Sequence, residues 1–143
     1  MVPRAGRLEP LDQRAQRAIE EARLTGLAAN PTVFKAMLEA QAASPHDLSS
    51  LRFVMSAGQF LEWDLVERLE TACPKAQLMN TYGCTENSPR IAYLPLTRGA
   101  PRGDTPYVPV GYPVAGTTIR IIDEAGQSVP TGQVGEVAIG GGA

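Results

Sequence analysis

The chain has 143 residues, of which 43% are hydrophobic and 20% charged, with a formal net charge of −2. This is the composition of a folded domain, and a compact chain of that length buries roughly 68–70% of its unfolded surface. The charge leaves no footprint for nucleic acid, no basic run suits an anionic membrane surface, and no stretch approaches the ~20 apolar residues of a membrane span. The opening Met1-Val2-Pro3-Arg4-Ala5-Gly6-Arg7 is charged but has no apolar core behind it. It does not read as a secretory signal, and the expected compartment is the cytoplasm.

Leu11, Ala15, Ala18, Ile19 and Ala22 recur at helical spacing and predict a helix over residues 11–23. Residues 24–29 read as a short buried strand. Asn30-Pro31 predicts a helix start, because asparagine caps free amides and proline is preorganised for the first turn. Val33, Phe34, Met37 and Leu38 form the apolar stripe of that helix, and residues 44–47 form a polar loop. A strand over 51–57, a helix carrying Leu65, Val66, Leu69 and Ala72, and a strand over 78–82 follow. Strand and helix alternating in this way predict a parallel βαβ sheet with right-handed crossovers. Residues 98–106 are a Gly/Pro-rich connector. Beyond it, strands over 117–122 and 134–139 are separated by turns at 124–126 and 130–132.

The chemistry concentrates in Asn80-Thr81-Tyr82-Gly83-Cys84-Thr85-Glu86. The apolar Gln77-Leu78-Met79 leads in and Asn87-Ser88-Pro89 leads out, the layout of a strand ending in a loop. In open α/β sheets, ligands sit beyond the carboxyl ends of the strands. Tyr82 can stack on a base, Thr85 can donate to a phosphate oxygen, and Glu86 can hold Mg²⁺. The same residue types also meet in ordinary turns, with Tyr82 as a packed core aromatic and Glu86 as a solvated carboxylate. Cys73, Cys84 and the single His46 lack the spacing of a metal site and read as two reduced thiols and a solvated loop residue. Asp123, Glu124 and Glu136 read as turn and strand-edge charges.

Residues 80–86 resemble the Asn-x-Tyr-Gly-x-Thr-Glu signature of the acyl-adenylate-forming superfamily, which includes acyl-CoA synthetases and the adenylation domains of non-ribosomal peptide synthetases. Residues 51–59 resemble the strand and glycine turn that precede the signature. Gly135-Glu136-Val137-Ala138-Ile139-Gly140-Gly141-Gly142 resembles a later core motif, and residues 110–116 and 122–126 resemble the connecting strands and hairpin. The resemblance runs from about Leu24 onward. It implies part of the family's large N-terminal α/β domain over residues 1–95, a connector over 96–109, and the start of a small β-barrel subdomain over 110–143.

The resemblance further implies attack of a carboxylic acid on the α-phosphate of ATP, giving acyl-AMP, with transfer to the thiol of coenzyme A or a carrier protein. On this basis Gly58, Gln59, Asn80, Tyr82, Gly83 and Thr85 hold ATP or AMP, Glu86 holds Mg²⁺, and Thr85 and Glu86 are the catalytic pair. Met55, Ala57, Thr81, Pro89 and Arg90 fall where the acid pocket is expected. Arg90 is expected to point to solvent, the alternatives being a protein carboxylate or an anionic substrate group. The glycine at position 58 is expected to permit close approach of the ligand.

Three features of the family are missing from the sequence: the phosphate loop ending in lysine, the ribose-binding aspartate and the C-terminal catalytic lysine. The expectation is a fragment of a ligase, inactive alone. The alternative is a stand-alone, non-catalytic α/β module that binds adenine nucleotide weakly or is completed by a partner chain. Residues 24–29 and 51–57 carry only Arg52 as a charge, so open sheet edges there predict self-association of the isolated chain.

Overall fold

In the computed structural model, residues 11–85, 88–100 and 102–141 are described. The first helix, α1 (Leu11–Glu21), presents Gln16 and Ile19 to the core, both essentially fully buried, while Ala18 and Ala22 face solvent. The buried face is thus rotated from the alanine stripe, because the Gln16 amide has partners there. Its Nε2 donates to the Met37 carbonyl at 2.7 Å and to Gln41 Oε1 at 3.0 Å, tying α1 to the next helix. Arg23 closes α1 with a left-handed φ of 51°, and the Leu24 N–H reaches back to the Ile19 carbonyl.

Strand β1 (Gly26–Ala29) is shorter than the six residues expected and leads to α2 (Pro31–Ala43). Asn30 caps α2 as predicted, its side chain accepting the Val33 N–H at 2.9 Å. Strand β2 (Phe53–Ser56), α3 (Trp63–Ala72) and β3 (Gln77–Cys84) follow, then β4 (Ser88–Leu96), β5 (Tyr112–Pro113), β6 (Thr118–Ile122) and β7 (Glu136–Gly140). Five strands form one mixed sheet in the order β1-β2-β3-β4-β5, and β6 pairs with β7 in a second, two-stranded sheet.

The first three strands run parallel, as the βαβ pattern predicts, whereas β4 and β5 are antiparallel. Only residues 85–87 separate β3 from β4, too few for a crossover, so the chain must return as a hairpin. Strand β4 has no counterpart among the predicted elements. Pro95 sits on it beyond the reach of β5, where its missing N–H costs no ladder bond.

All three helices serve one face of the sheet. Val54, Leu78 and Leu96 from that face join Phe34, Leu51, Leu61, Leu65 and Leu69 in the core. The opposite face is open: Phe53 is 52% exposed, Tyr93 44%, and Met55 and Met79 are half-buried beside them in register. Among the described residues, strand β1 is a free edge, but β2 is not. It pairs on both sides, which corrects the expectation of an open edge at residues 51–57. The connector after β4 is pinned to α3. Arg98 donates to the Glu70 and Cys73 carbonyls at 2.9 Å each, and Arg102 pairs with Glu67.

Candidate functional site: an uncharged cavity at the strand ends

A cavity of about 520 Å³ lies at the carboxyl ends of β2 and β3, within the usual range for small-molecule sites. Its wall brings together Gly58, Gln59, Asn80, Tyr82 and Gly83, five of the six residues expected at the nucleotide, along with Thr81 from the expected acid pocket. None of the described residues lining it is charged. Such a wall suits a neutral ring more than a phosphate, which would have to project beyond it.

Each polar group has a determinate geometry. Asn80 is 4% exposed, and its amide donates to the Pro109 carbonyl at 3.0 Å and, less closely, to that of Val108 at 3.4 Å. With the N–H₂ committed, the amide oxygen is its acceptor for a ligand. The buried Thr81 hydroxyl donates to the Ser56 carbonyl at 2.9 Å, joining the ends of β2 and β3. Tyr82 is half-buried on β3, so the strand runs two residues past its predicted end, to Cys84. Pairing shifts between Tyr82↔Ala92 and Cys84↔Ser88, so that Gly83 faces the bulged stretch of β4 that contains Pro89. Thr85 is exposed at the hairpin tip.

The turn over residues 57–60 supplies another wall. Gly58 has φ of +82°, yet a Cβ there would meet nothing within 4 Å. The glycine is therefore required by backbone conformation; the expected need for space is not what the chain itself imposes. The Gln59 side chain turns away to α2, its Oε1 accepting from the Thr32 hydroxyl at 2.9 Å.

Met55 and Ala57 do not line this cavity, and Met55 belongs to the open sheet face. Arg90 is exposed on β4. Glu86 and the side chain of Pro89 lie outside the described residues. Sequence reasoning missed the aliphatic walls: Val108 and Val110 from the stretch ahead of β5, Ile119 and Ile121 from β6, and Val137 from β7. The only signal was the alternation of Ile119 and Ile121, which marks a strand face without saying what the face covers.

The family model described as AMP-binding enzyme matches residues 1–143. The chain belongs to that family. It is 39% identical over 111 residues to tyrocidine synthase 2 of Brevibacillus parabrevis, covering 78% of this chain and 3% of that protein. It is 33% identical over 128 residues to the 4-coumarate–CoA ligase-like 6 of Oryza sativa subsp. japonica, covering 89% of this chain and 21% of the relative. Among solved structures, the anthranilate CoA ligase AuaEII in complex with anthranoyl-AMP superposes with a TM-score of 0.76 at 29% identity, covering 90% of this chain and 24% of that one. The fold is thus that of an adenylating enzyme's N-terminal domain, and the chain spans a quarter or less of each of these relatives. Among the described residues no helix is long and apolar enough to cross a membrane.

Proposed function

We propose that this chain is the adenine-binding portion of an AMP-forming ligase that activates a carboxylic acid as its acyl-adenylate. The observation that carries the proposal is the convergence of Gly58, Gln59, Asn80, Tyr82 and Gly83 on one uncharged cavity. Adenine would lie between the Tyr82 ring and the backbone of residues 58–60, with its amino group toward the Asn80 amide oxygen. The α-phosphate would then reach toward the hairpin tip, where Thr85 is exposed. We assign Mg²⁺ to Glu86 on the signature alone; a bound cation would supply charge stabilisation at the phosphates. Thr85 and Glu86 are the proposed catalytic pair. Met55, Ala57, Thr81, Pro89 and Arg90 remain the proposed acid-binding set, with Thr81 the one of them that borders the adenine cavity.

Transfer to a thiol, of coenzyme A or of a carrier protein, extends the proposal, as does a cytoplasmic site of action, where the free thiols Cys73 and Cys84 persist reduced. We assign residues 1–95, 96–109 and 110–143 to an α/β part, a connector and the start of a β-barrel part. The 143-residue chain tested by itself is expected to perform no ATP–pyrophosphate exchange, because its sequence lacks the phosphate loop and the catalytic lysine that the family resemblance calls for at the phosphates. It is also expected to self-associate through the β1 edge and the open face bearing Phe53 and Tyr93.

Titration with AMP, followed calorimetrically, tests the nucleotide reading. Weak binding that Tyr82→Ala abolishes supports it, whereas equal affinity in the variant makes Tyr82 a structural residue only. Sedimentation tests the surface: replacing Phe53 and Tyr93 with lysine should dissociate the oligomer, and a monodisperse native monomer would refute the exposed-face reasoning.

A further inference from the structure

The turn that walls the cavity is poorly held by its own backbone. The Ala57 N–H bonds to the Ala29 carbonyl, and the Leu61 carbonyl accepts from the Val108 N–H. Between these anchors, among the described residues, the hydrogen bonds tying residues 58–60 to the rest of the chain are the two accepted by Gln59 Oε1. Gly58 sits in the middle with a left-handed φ and no Cβ to limit it. Phe60, 81% exposed, meets the Tyr107 ring at a centroid distance of 5.4 Å. Left to itself, such a turn samples many conformations, and a ligand that needed one of them would lose affinity in ordering it.

Both bonds to Gln59 come from one residue. Thr32 is the second residue of α2, where the amide has no intrahelical partner. Its hydroxyl donates to Gln59 Oε1 at 2.9 Å, and its backbone N–H does so at 3.3 Å. Asn30 takes the next free amide, that of Val33. The helix N-terminus is thus shared between a local cap and a remote one, and the remote one carries the cavity wall.

We propose that Thr32, which does not line the cavity, is a positioning residue for it, acting through Gln59 to hold residues 58–60 at a fixed distance from the Tyr82 ring. The proposal rests on the adenine-nucleotide reading of the cavity and extends it to a residue on another element. A side chain without a role here would leave Gln59 an ordinary exposed polar residue. Instead the Gln59 carbonyl spans 27 positions of sequence to meet two donors on one residue.

The test uses the 143-residue chain with Thr32→Val, which keeps shape and removes the hydroxyl, Thr32→Ser, which restores it, Gln59→Ala, and the Thr32→Val/Gln59→Ala double variant. Hydrogen exchange of the residue 58–60 amides, AMP affinity and the melting midpoint are read on each. Thr32→Val is expected to speed exchange at the turn and to raise the AMP dissociation constant about two- to tenfold, the worth of one modest hydrogen bond. Thr32→Ser should match the native chain, the double variant should bind no worse than Gln59→Ala, and the melting midpoint should hardly move because the contact is exposed. A merely structural Thr32 would shift the midpoint and leave affinity alone, and that result overturns the proposal. So does AMP binding by Thr32→Val that equals the native chain, which leaves the nucleotide reading intact. Absence of any Tyr82-dependent AMP binding in the native chain defeats both, and so separates the two failures.

Discussion

Replacing Asn80 probes both the fold and the cavity, and its two obvious variants should behave differently with pH. Asn80 is 4% exposed and donates to the Pro109 carbonyl at 3.0 Å and the Val108 carbonyl at 3.4 Å. Alanine removes one good bond and one marginal bond. It leaves the Val108 carbonyl in a buried setting, while Pro109 is exposed and can turn to water. At about 0.5–1.5 kcal/mol for a hydrogen bond and 1–3 kcal/mol for a buried orphan group, the expected loss is about 1–3 kcal/mol. With urea slopes of about 1–3 kcal/mol per molar, the unfolding midpoint should fall by roughly 1 M. Asn80→Asp should cost more at neutral pH, because a buried carboxylate would then face two carbonyl oxygens. Its folded-state pKa must rise above the unfolded value. The deficit should therefore be small below about pH 4, where the acid is protonated and can donate as the amide did, and should grow as pH rises toward the elevated value. Urea titrations of the native chain, Asn80→Ala and Asn80→Asp between about pH 3.5 and about pH 8 would measure this. Equal midpoints for the native chain and Asn80→Ala, or a pH-independent Asn80→Asp deficit, would show that Asn80 does not hold the residue 108–109 segment.

Gly58→Ala should destabilise by about 1–2 kcal/mol through its positive φ, and Gly58→Asn should recover part of the loss because asparagine tolerates that region; identical penalties in urea unfolding would point to a steric cause instead. Hydrogen bonds from Ser49, followed by the Arg23 guanidinium, hold the Asp47 carboxyl down at about 2 from its ordinary 3.8. A lowered carboxylate stabilises the fold above its unfolded pKa, so the advantage of the native chain over Asp47→Asn should be constant above about pH 5 and vanish as pH falls from about 4 to 2, as thermal unfolding at each pH would record. Burial pushes the Cys73 thiol up to about 11, whereas Cys84 is half-exposed at the hairpin tip. A thiol reagent should thus label Cys84 in the folded chain and Cys73 only after denaturation, and rapid native labelling of Cys73 by peptide mass spectrometry would contradict its burial.

Local rules were enough wherever a single element decides the outcome. Asn30-Pro31 specified a helix start because capping and proline geometry involve only neighbouring residues, and the structure has both in place. The parallel order of β1, β2 and β3 followed from alternating strand and helix patterns, which leave a sheet one economical way to form. Residues 80–83 of the signature border the cavity, since a strand running into a loop places consecutive residues at the carboxyl end of the sheet. Gln16 shows where local rules stop: an amide reads as a surface residue until another helix offers a carbonyl and a second amide oxygen to accept from its N–H₂. Strand β4 was invisible for a related reason, because a strand's identity there depends on a partner to pair with and on a connection too short for any other path. The aliphatic walls from β6, β7 and the stretch ahead of β5, and the Thr32–Gln59 link, join residues tens of positions apart. The sequence by itself determined the helices, the parallel strands and the stretch at residues 80–83 that borders the cavity. Only the tertiary structure decided which side chains those elements turn toward one another, because a contact is a property of two surfaces and neither carries the other's position in its own pattern.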